Sequence, residues 1–421
     1  MSKKLIFVSN FYNHHQKPLA EEFVKIFGDD YAFIAMTPFD QERLAIGYKD
    51  MNQAPFVLRA YESPEAGQEA RRLIEESDCV IVGGMPVSVV SSRLALGKIT
   101  FMQSERFFKG PLWKDVVRFV KYCRYSGGRA QARDPRAKFY LLCSSAFAAR
   151  DYNMCGLFRG KAYRWGYFPE VKRYDYFGDE QIPRIEAPGI KSYLKEQEVS
   201  CGQADSSHGS IKKLSKLSKE AGSILWAGRF LALKHPELAV MLAENLREQG
   251  KSFSLKIIGS GEKQGMISGM IAAKNLQDCV ELTGALPFEQ MRAEMERAQI
   301  FLFTSDRCEG WGAVANESMN SGCVLVAADK IGSVPYLVKD GKNGIVFRDR
   351  NIADLTEKVS ALLDDPAKIA RLGRAAYETV SGEWNAQTAA RRFVELAERL
   401  RESEGSVSLW EDGPGSVAPV I

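Results

Sequence analysis

Short apolar runs separated by amphipathic helical segments constrain this 421-residue chain more than any other feature. In the first half the runs are Leu5–Ser9, Tyr31–Ala35, 79–82, 99–102 and Phe139–Cys143, with helix patterns between them at 18–26, Pro64–Glu76 and 111–124. A strand covered on both faces reads as a continuous apolar run, and strands interleaved with helices imply βαβ units around a parallel sheet. From 172 to 221 the rhythm stops: the segment is charged, Ser-rich and short of long apolar runs. It restarts with strands at 224–227, 255–258, 280–283, Ile300–Phe303 and 324–327. The stretch 352–400 is mostly helical, and a Gly/Pro-containing tail follows from 404 to 421. The expected class is α/β, with two doubly wound parallel-sheet halves and a ligand cleft at the carboxyl ends of their strands.

Composition narrows the classes. A hydrophobic content of 45% and a charged content of 26% fit an ordinary globular protein, and a net charge of +4 is too small to imply nucleic acid. The eight cysteines contain no C-x-x-C pair, and several sit in apolar runs, which suits buried reduced thiols. The four histidines show no zinc-ligand spacing with cysteine or carboxylate. The apolar run near the N-terminus breaks at Ser9-Asn10, too soon for a secretory leader, and reads as a first buried strand. No run reaches the ~18 apolar residues of a membrane span.

The chemistry concentrates in the second half. The strand at 224–227 leads into Gly228-Arg229-Phe230, with Lys234 five residues after the arginine. Glycine at a strand end admits a ligand close to the backbone, and two cations suit a diphosphate. Next comes I-I-G-S-G-E-K-Q-G, 257–265, a strand, Gly-x-Gly and helix start that suit an anion. Its spacing is G-x-G-x-x-x-G, and no acidic residue follows at the distance a nicotinamide site needs. Then C-E-G-W-G-A-V-A-N-E-S-M-N-S-G, 308–322, places Glu309 in a loop and Glu317 in the helix after it. Taken alone, these glutamates fit a sugar clamp, or a hydrolase pair flanking one bond at ~5–9.5 Å.

The order of the pieces is more specific. G-R-F-x3-K, G-S-G-E, T-G-A-L-P-F-E-Q-M, E-G-W-G-A-V-A-N-E-S-M-N-S-G and I-G-S-V-P-Y-L-V-K-D-G-K-N-G-I-V-F follow successive strands from 223 to about 400. This series resembles the donor half of retaining GT-B glycosyltransferases of family 4. The resemblance implies two Rossmann-like domains. The first, acceptor-side domain spans 1–171 and is completed by a C-terminal helix at about 384–403. A linker or insertion covers 172–222, the nucleotide-sugar domain covers 223–383, and a tail covers 404–421. The donor would be a nucleoside-diphosphate sugar, with no cofactor and no metal; the chain has no D-x-D triplet. Arg229 and Lys234 match the cations on the diphosphate. Glu309 matches the contact to sugar hydroxyls, aided by the N–H groups of Gly310, Trp311, Gly312 and Ala313. Glu317 matches the ribose contact, and 284–287, including Ala285 and Leu286, the loop against the base. Gly228, Gly259, Gly261 and Val314 complete the expected donor site. In this family the acceptor hydroxyl attacks on the face the diphosphate leaves, with no protein nucleophile.

The first half departs from the pattern. Its first strand leads into S-N-F-Y-N-H-H-Q-K-P, where many relatives carry paired glycines; here Asn13, His14 and His15 face the cleft or cap the following helix. After 99–102 the chain reads Q-S-E-R, with Glu105 and Arg106 where many relatives have a histidine. These two orient the acceptor or form a local ion pair.

Between 105 and 138 the sequence is rich in Lys and Arg interleaved with aromatics. Helical periodicity puts Leu112, Trp113, Val116, Val117, Val120 and Cys123 on one face and Lys114, Asp115, Arg118, Lys121 and Arg124 on the others. This suits a helix lying on an anionic membrane, or a sheet-covering helix with a solvated basic face. The expected activity is retaining sugar transfer to a glycan or lipid-linked acceptor, in surface polysaccharide or lipid-linked glycan biosynthesis. The expected location is the cytoplasm, peripheral on the inner membrane face. The alternatives are a GT-B sugar-nucleotide epimerase, a phosphorylase (no pyridoxal lysine supports it) and a non-catalytic sugar-nucleotide-binding protein.

Overall fold

Every run read as a strand is a strand, and six of them are buried along their whole length, as two-sided cover requires. The computed structural model describes residues 3–40, 49–110, 112–125, 128–174 and 217–421. Within it, Met1–Lys172 and Lys219–Ile421 form one compact unit. Most of the connection expected at 172–222 lies outside the described residues.

The first sheet holds β1 (Leu5–Ser9), β2 (Tyr31–Ala35), β3 (Val57–Arg59), β4 (Cys79–Gly83), β5 (Thr100–Ser104), β6 (Phe139–Cys143) and β7 (Ala162–Arg164). Its order is β3-β2-β1-β4-β5-β6-β7, all parallel. The second holds β8 (Ser223–Ala227), β9 (Ser254–Ile258), β10 (Val280–Gly284), β11 (Ile300–Phe303), β12 (Val324–Ala328) and β13 (Ile345–Phe347). Its order is β10-β9-β8-β11-β12-β13, again parallel. This is the α/β, GT-B arrangement of two doubly wound parallel sheets facing across a cleft. The edge strands β3, β7 and β13 have three residues each, too few to stand out as apolar runs.

Alternation along β1 sorts its side chains between two cores. Leu5 and Phe7 point into one, Ile6 and Val8 into the other. The first core is completed from the far end of the chain. The helix Ala386–Glu402, opened by Asn385 accepting the Thr388 N–H, drives Phe393 against Phe23, Phe101 and Trp165, at ring distances of 5.6, 4.9 and 5.9 Å.

The tail packs as well. Residues 415–418 run antiparallel to β7, with the Arg164 N–H donating to the Ser416 carbonyl at 2.7 Å and the Ala418 N–H to the Ala162 carbonyl at 2.9 Å. Backbone pairing of this kind covers a sheet edge that would otherwise stay open.

The helix Leu112–Tyr125 does not cover the sheet in the usual sense. Trp113, Val116, Val117 and Val120 are exposed, while Asp115 is buried and Phe119 packs inward. Residues 126–127 and the side chains of Leu112 and 121–125 lie outside the described residues. Among the described residues, no helix is long and apolar enough to cross a membrane.

Candidate functional site

Each sheet reverses its winding at one point, where β1 lies between β2 and β4 and where β8 lies between β9 and β11. In doubly wound sheets the crevice beyond such a point receives ligands. The chain leaves β8 through Gly228 and leaves β11 through Thr304, so the loops that carry Lys234 and Glu309 meet there.

Hydrogen bonds lock these loops together. Trp226 Nε1 donates to Thr304 Oγ1 at 2.8 Å, and Thr304 Oγ1 donates to the Lys234 carbonyl at 2.7 Å. The Asp306 N–H donates to the Leu233 carbonyl at 2.9 Å. As a result Lys234 Nζ lies on the Glu309 carboxylate, which also accepts from Ser305 Oγ at 3.1 Å. The pair is 19% and 14% exposed, so water screens it weakly. His235, in a left-handed turn, points Nδ1 at Glu237 (2.9 Å) and Nε2 at Asp306 (3.1 Å). Hydrogen bonds donated by the protonated ring to Asp306 and Glu237 raise its pKa to about 9. Arg229 is exposed and, among the described residues, makes no ion pair.

Glu317 sits on the short helix Val314–Asn320. Burial raises its pKa, with Arg292 opposing, and among the described residues its carboxylate makes no hydrogen bond. Gly312, Ala313 and Val314 lead into this helix half-buried. Trp311 is fully buried between Trp384 (5.9 Å) and Tyr336 (6.3 Å), with Nε1 donating to Asn316 Oδ1 at 2.9 Å. Its ring therefore has no open face for a ligand.

Gly259 and Gly261 serve close backbone packing. Their φ values are 152° and 146°, and a Cβ at Gly259 would run into the Gly228 carbonyl, while one at Gly261 would lie 2.9 Å from Phe230 N. Ala285 and Leu286 follow β10, whose Gly284 carbonyl accepts the Gly259 N–H at 2.9 Å.

The opposite loops come close. Asn13 Oδ1 accepts the His15 N–H at 3.0 Å, and the Asn13 carbonyl accepts from Gln16 and Lys17, so Asn13 shapes the turn before the helix Lys17–Phe27. The His14 and His15 rings are 3.9 Å apart, and His15 lies 5.7 Å from Tyr167. The Tyr167 hydroxyl hydrogen-bonds Glu105, and burial raises the Tyr167 pKa well above its ordinary value.

Glu105 and Arg106 do not pair with each other. Glu105 pairs with Lys109, and a Cβ at Gly310 would collide with the Glu105 carboxylate and lie 2.6 Å from Lys109 Nζ. Arg106 lies 3.7 Å from Asp151, stacks over Phe147 at 4.8 Å and donates to the Arg307 carbonyl at 3.1 Å. Arg307 in turn donates to the Gly110 carbonyl and lies 3.6 Å from Asp115. The Ala146 N–H donates to the Gly332 carbonyl at 2.8 Å. Sequence reading missed Thr304, Ser305, His235, Lys109 and Tyr167 as parts of this site. Only the polar Thr304-Ser305 pair at a strand end carried a local signal.

Of the expected donor residues the structure brings Lys234 onto Glu309, with Glu105 brought onto Gly310 from the other half, while Arg229 and Glu317, among the described residues, make no hydrogen bond or ion pair with that pair. Among the described residues, no group of three or more His, Cys, Asp or Glu is placed to hold a metal ion.

Residues 209–379 match the family of glycosyl transferases group 1. An amylovoran biosynthesis glycosyltransferase of Erwinia amylovora is 29% identical over 182 residues, 42% of this chain and 44% of that protein. An alpha-D-kanosaminyltransferase of Streptomyces kanamyceticus is 31% identical over 143 residues, 34% of this chain and 36% of that protein. These matches span half or less of the curated relatives' length. Among solved structures, the Anabaena protein HepE in complex with UDP superposes with a TM-score of 0.62 at 14% identity, covering 94% of this chain and 100% of that one. A sucrose-phosphate synthase of Thermosynechococcus elongatus superposes with a TM-score of 0.60 at 14% identity, covering 95% and 100%. At such identity these two likenesses speak for the fold alone.

Proposed function

We propose that this chain, a GT-B protein with a group 1 glycosyl transferase domain over 209–379, is a retaining, metal-independent glycosyltransferase. It moves a sugar from a nucleoside-diphosphate donor to an acceptor hydroxyl. The observation that carries the reading is the meeting of Lys234 with Glu309 at the winding reversal of the second sheet, in the loop that also carries the exposed Arg229.

Arg229 and Lys234 neutralise the diphosphate, Lys234 exchanging part of its contact with Glu309 for phosphate oxygens. Glu309, held by Ser305, accepts from donor-sugar hydroxyls. Glu317 offers a carboxylate with free acceptor capacity to the ribose, against a base lying on Ala285 and Leu286. The anomeric carbon loses its bond to the diphosphate oxygen and gains one to the acceptor oxygen on the same face. The acceptor proton goes to the departing diphosphate. No side chain acts as nucleophile, so catalysis rests on positioning and on stabilising the leaving group.

The acceptor side comprises 1–171 completed by 384–403, the donor side 223–383. Asn13, His14, His15, Glu105 and Arg106 border the acceptor side, with Glu105 nearest the donor loop. The acceptor is a glycan or lipid-linked glycan of surface polysaccharide assembly, met from the cytoplasm at the inner membrane face. The closest test is a thermal-shift panel of nucleotide sugars. A matching donor raises the melting temperature by mass action, and no shift with any nucleoside-diphosphate sugar sinks the reading.

A further inference from the structure

The helix Leu112–Tyr125 shows water the face that a buried helix would hide. Trp113, Val116, Val117 and Val120, spaced one turn apart, are 65, 53, 59 and 51% exposed. Its inner side carries Asp115, 6% exposed, which accepts the Gly110 N–H at 2.8 Å and lies 3.7 Å from Arg118 and 3.6 Å from Arg307. Phe119 packs inward against Phe108, with ring centroids 6.2 Å apart. The orientation is thus fixed by polar bonds to neighbouring loops, at the expense of four large apolar side chains left in water. Contiguous exposure of this kind marks a docking surface.

Charge decides what it fits. Asp115 is the helix's one acidic residue, and it is turned away. Lys114 and Arg118 are exposed, and Lys121 and Arg124 follow in the same helix. A second copy of this surface would oppose cation to cation. An apolar strip with a cationic flank instead matches an anionic bilayer, where the strip enters the headgroup–acyl boundary and the cations meet lipid phosphates.

We infer that the helix Leu112–Tyr125 lies flat on an anionic lipid surface through Trp113, Val116, Val117 and Val120. This deepens the membrane side of the proposed function and does not depend on which donor is used. It also sets the bilayer beside the site, because the loop entering this helix carries Glu105 and Lys109 against Gly310, and Asp115 faces Arg307 two residues before Glu309.

Trp113 is a built-in probe. Of the six tryptophans, Trp165, Trp226, Trp311 and Trp384 are buried, and Trp410 is half-buried beneath the Arg392 guanidinium at 5.1 Å. The full chain is mixed with phosphatidylcholine vesicles, with and without phosphatidylglycerol, and followed by co-sedimentation and tryptophan emission. Docking gives a blue shift and co-sedimentation with the phosphatidylglycerol vesicles, both weakened about tenfold or more by Val116→Ser/Val120→Ser. Lys114→Glu weakens them as well, and all variants keep the wild-type thermal shifts across the panel of nucleoside-diphosphate sugars. Absence of vesicle binding, equal binding to neutral and anionic vesicles, or unchanged binding by the valine variant overturns the inference. So does vesicle-free self-association of the wild type that the valine variant abolishes. Vesicle binding without a thermal shift from any nucleoside-diphosphate sugar of the panel would instead count against the transferase reading and leave the docking surface standing.

Discussion

Lys234 and Glu309, 75 residues apart in the chain, meet in a weakly screened ion pair that joins the loops after β8 and β11. Hydrogen bonds to charged groups contribute about 1.5–3 kcal/mol, so Lys234→Ala and Glu309→Gln should each lower kcat/KM by roughly ten- to a hundredfold. Because each change removes the other's partner, the double variant should fall well short of the product of the single losses. Full multiplicativity in steady-state kinetics would mean that the two groups act separately.

Glu317 should separate from Glu309 in kind. Burial raises its pKa, among the described residues its carboxylate makes no hydrogen bond, and its proposed contact is with the ribose rather than the transferred sugar. Glu317→Gln is expected to weaken binding of the nucleoside-diphosphate sugar identified by the thermal-shift panel by about tenfold in calorimetry, with a much smaller change in kcat at saturating donor. A large kcat loss with intact donor affinity would move Glu317 to the reacting centre.

His235 makes a pH prediction. Its pKa is raised to about 9 by Asp306 and Glu237, above the ordinary 6.5, so the folded chain holds this proton more tightly than the unfolded one. The added stability is complete below about pH 6.5 and is lost as pH rises through about 9. In urea unfolding, wild type should exceed His235→Gln most at pH ~6, and the gap should close by pH ~10. A gap independent of pH would show that the imidazolium contributes nothing.

Gly166 tests the packing under the loop that carries Trp311. A Cβ there would lie 2.5 Å from the Trp311 ring, which Trp384 and Tyr336 hold in place. Gly166→Ala should cost about 1–3 kcal/mol and lower Tm by several degrees, and Trp311→Phe in the same chain should recover part of it. An unshifted Tm would mean that Trp311 can move.

The second half was legible because it follows a repeated local grammar: apolar run, glycine-bearing loop, helix. Each loop issues from a strand end, so strand order brings Lys234 onto Glu309. The first half gave less, because its site is made by long-range contacts with no local pattern. Glu105 and Arg106 are adjacent, yet they find Lys109 and Asp151 rather than each other. Tyr167 enters only because β7 carries its chain back beside Glu105. The helix at 112–125 marks another boundary. Periodicity sorted its residues onto faces, but which face turned inward depended on Arg307, nearly two hundred residues away. The tail has no apolar period, and its order comes from pairing with a three-residue edge strand.

That far-end packing bears on the order in which the protein can be made. Phe393 and residues 415–418 belong against the first sheet, whose opening strand leaves the ribosome before almost everything else. At about 5–20 residues per second, the sheet, complete once Trp165 is made, waits roughly 10–45 s for the helix that covers it, and a few seconds more for the tail strand. During this interval a face lined by Phe23, Phe101 and Trp165 is open to solvent and to other nascent chains. The first half is therefore the part of this molecule that a holding chaperone would meet, and a premature stop anywhere before Ala386 would leave it permanently uncovered.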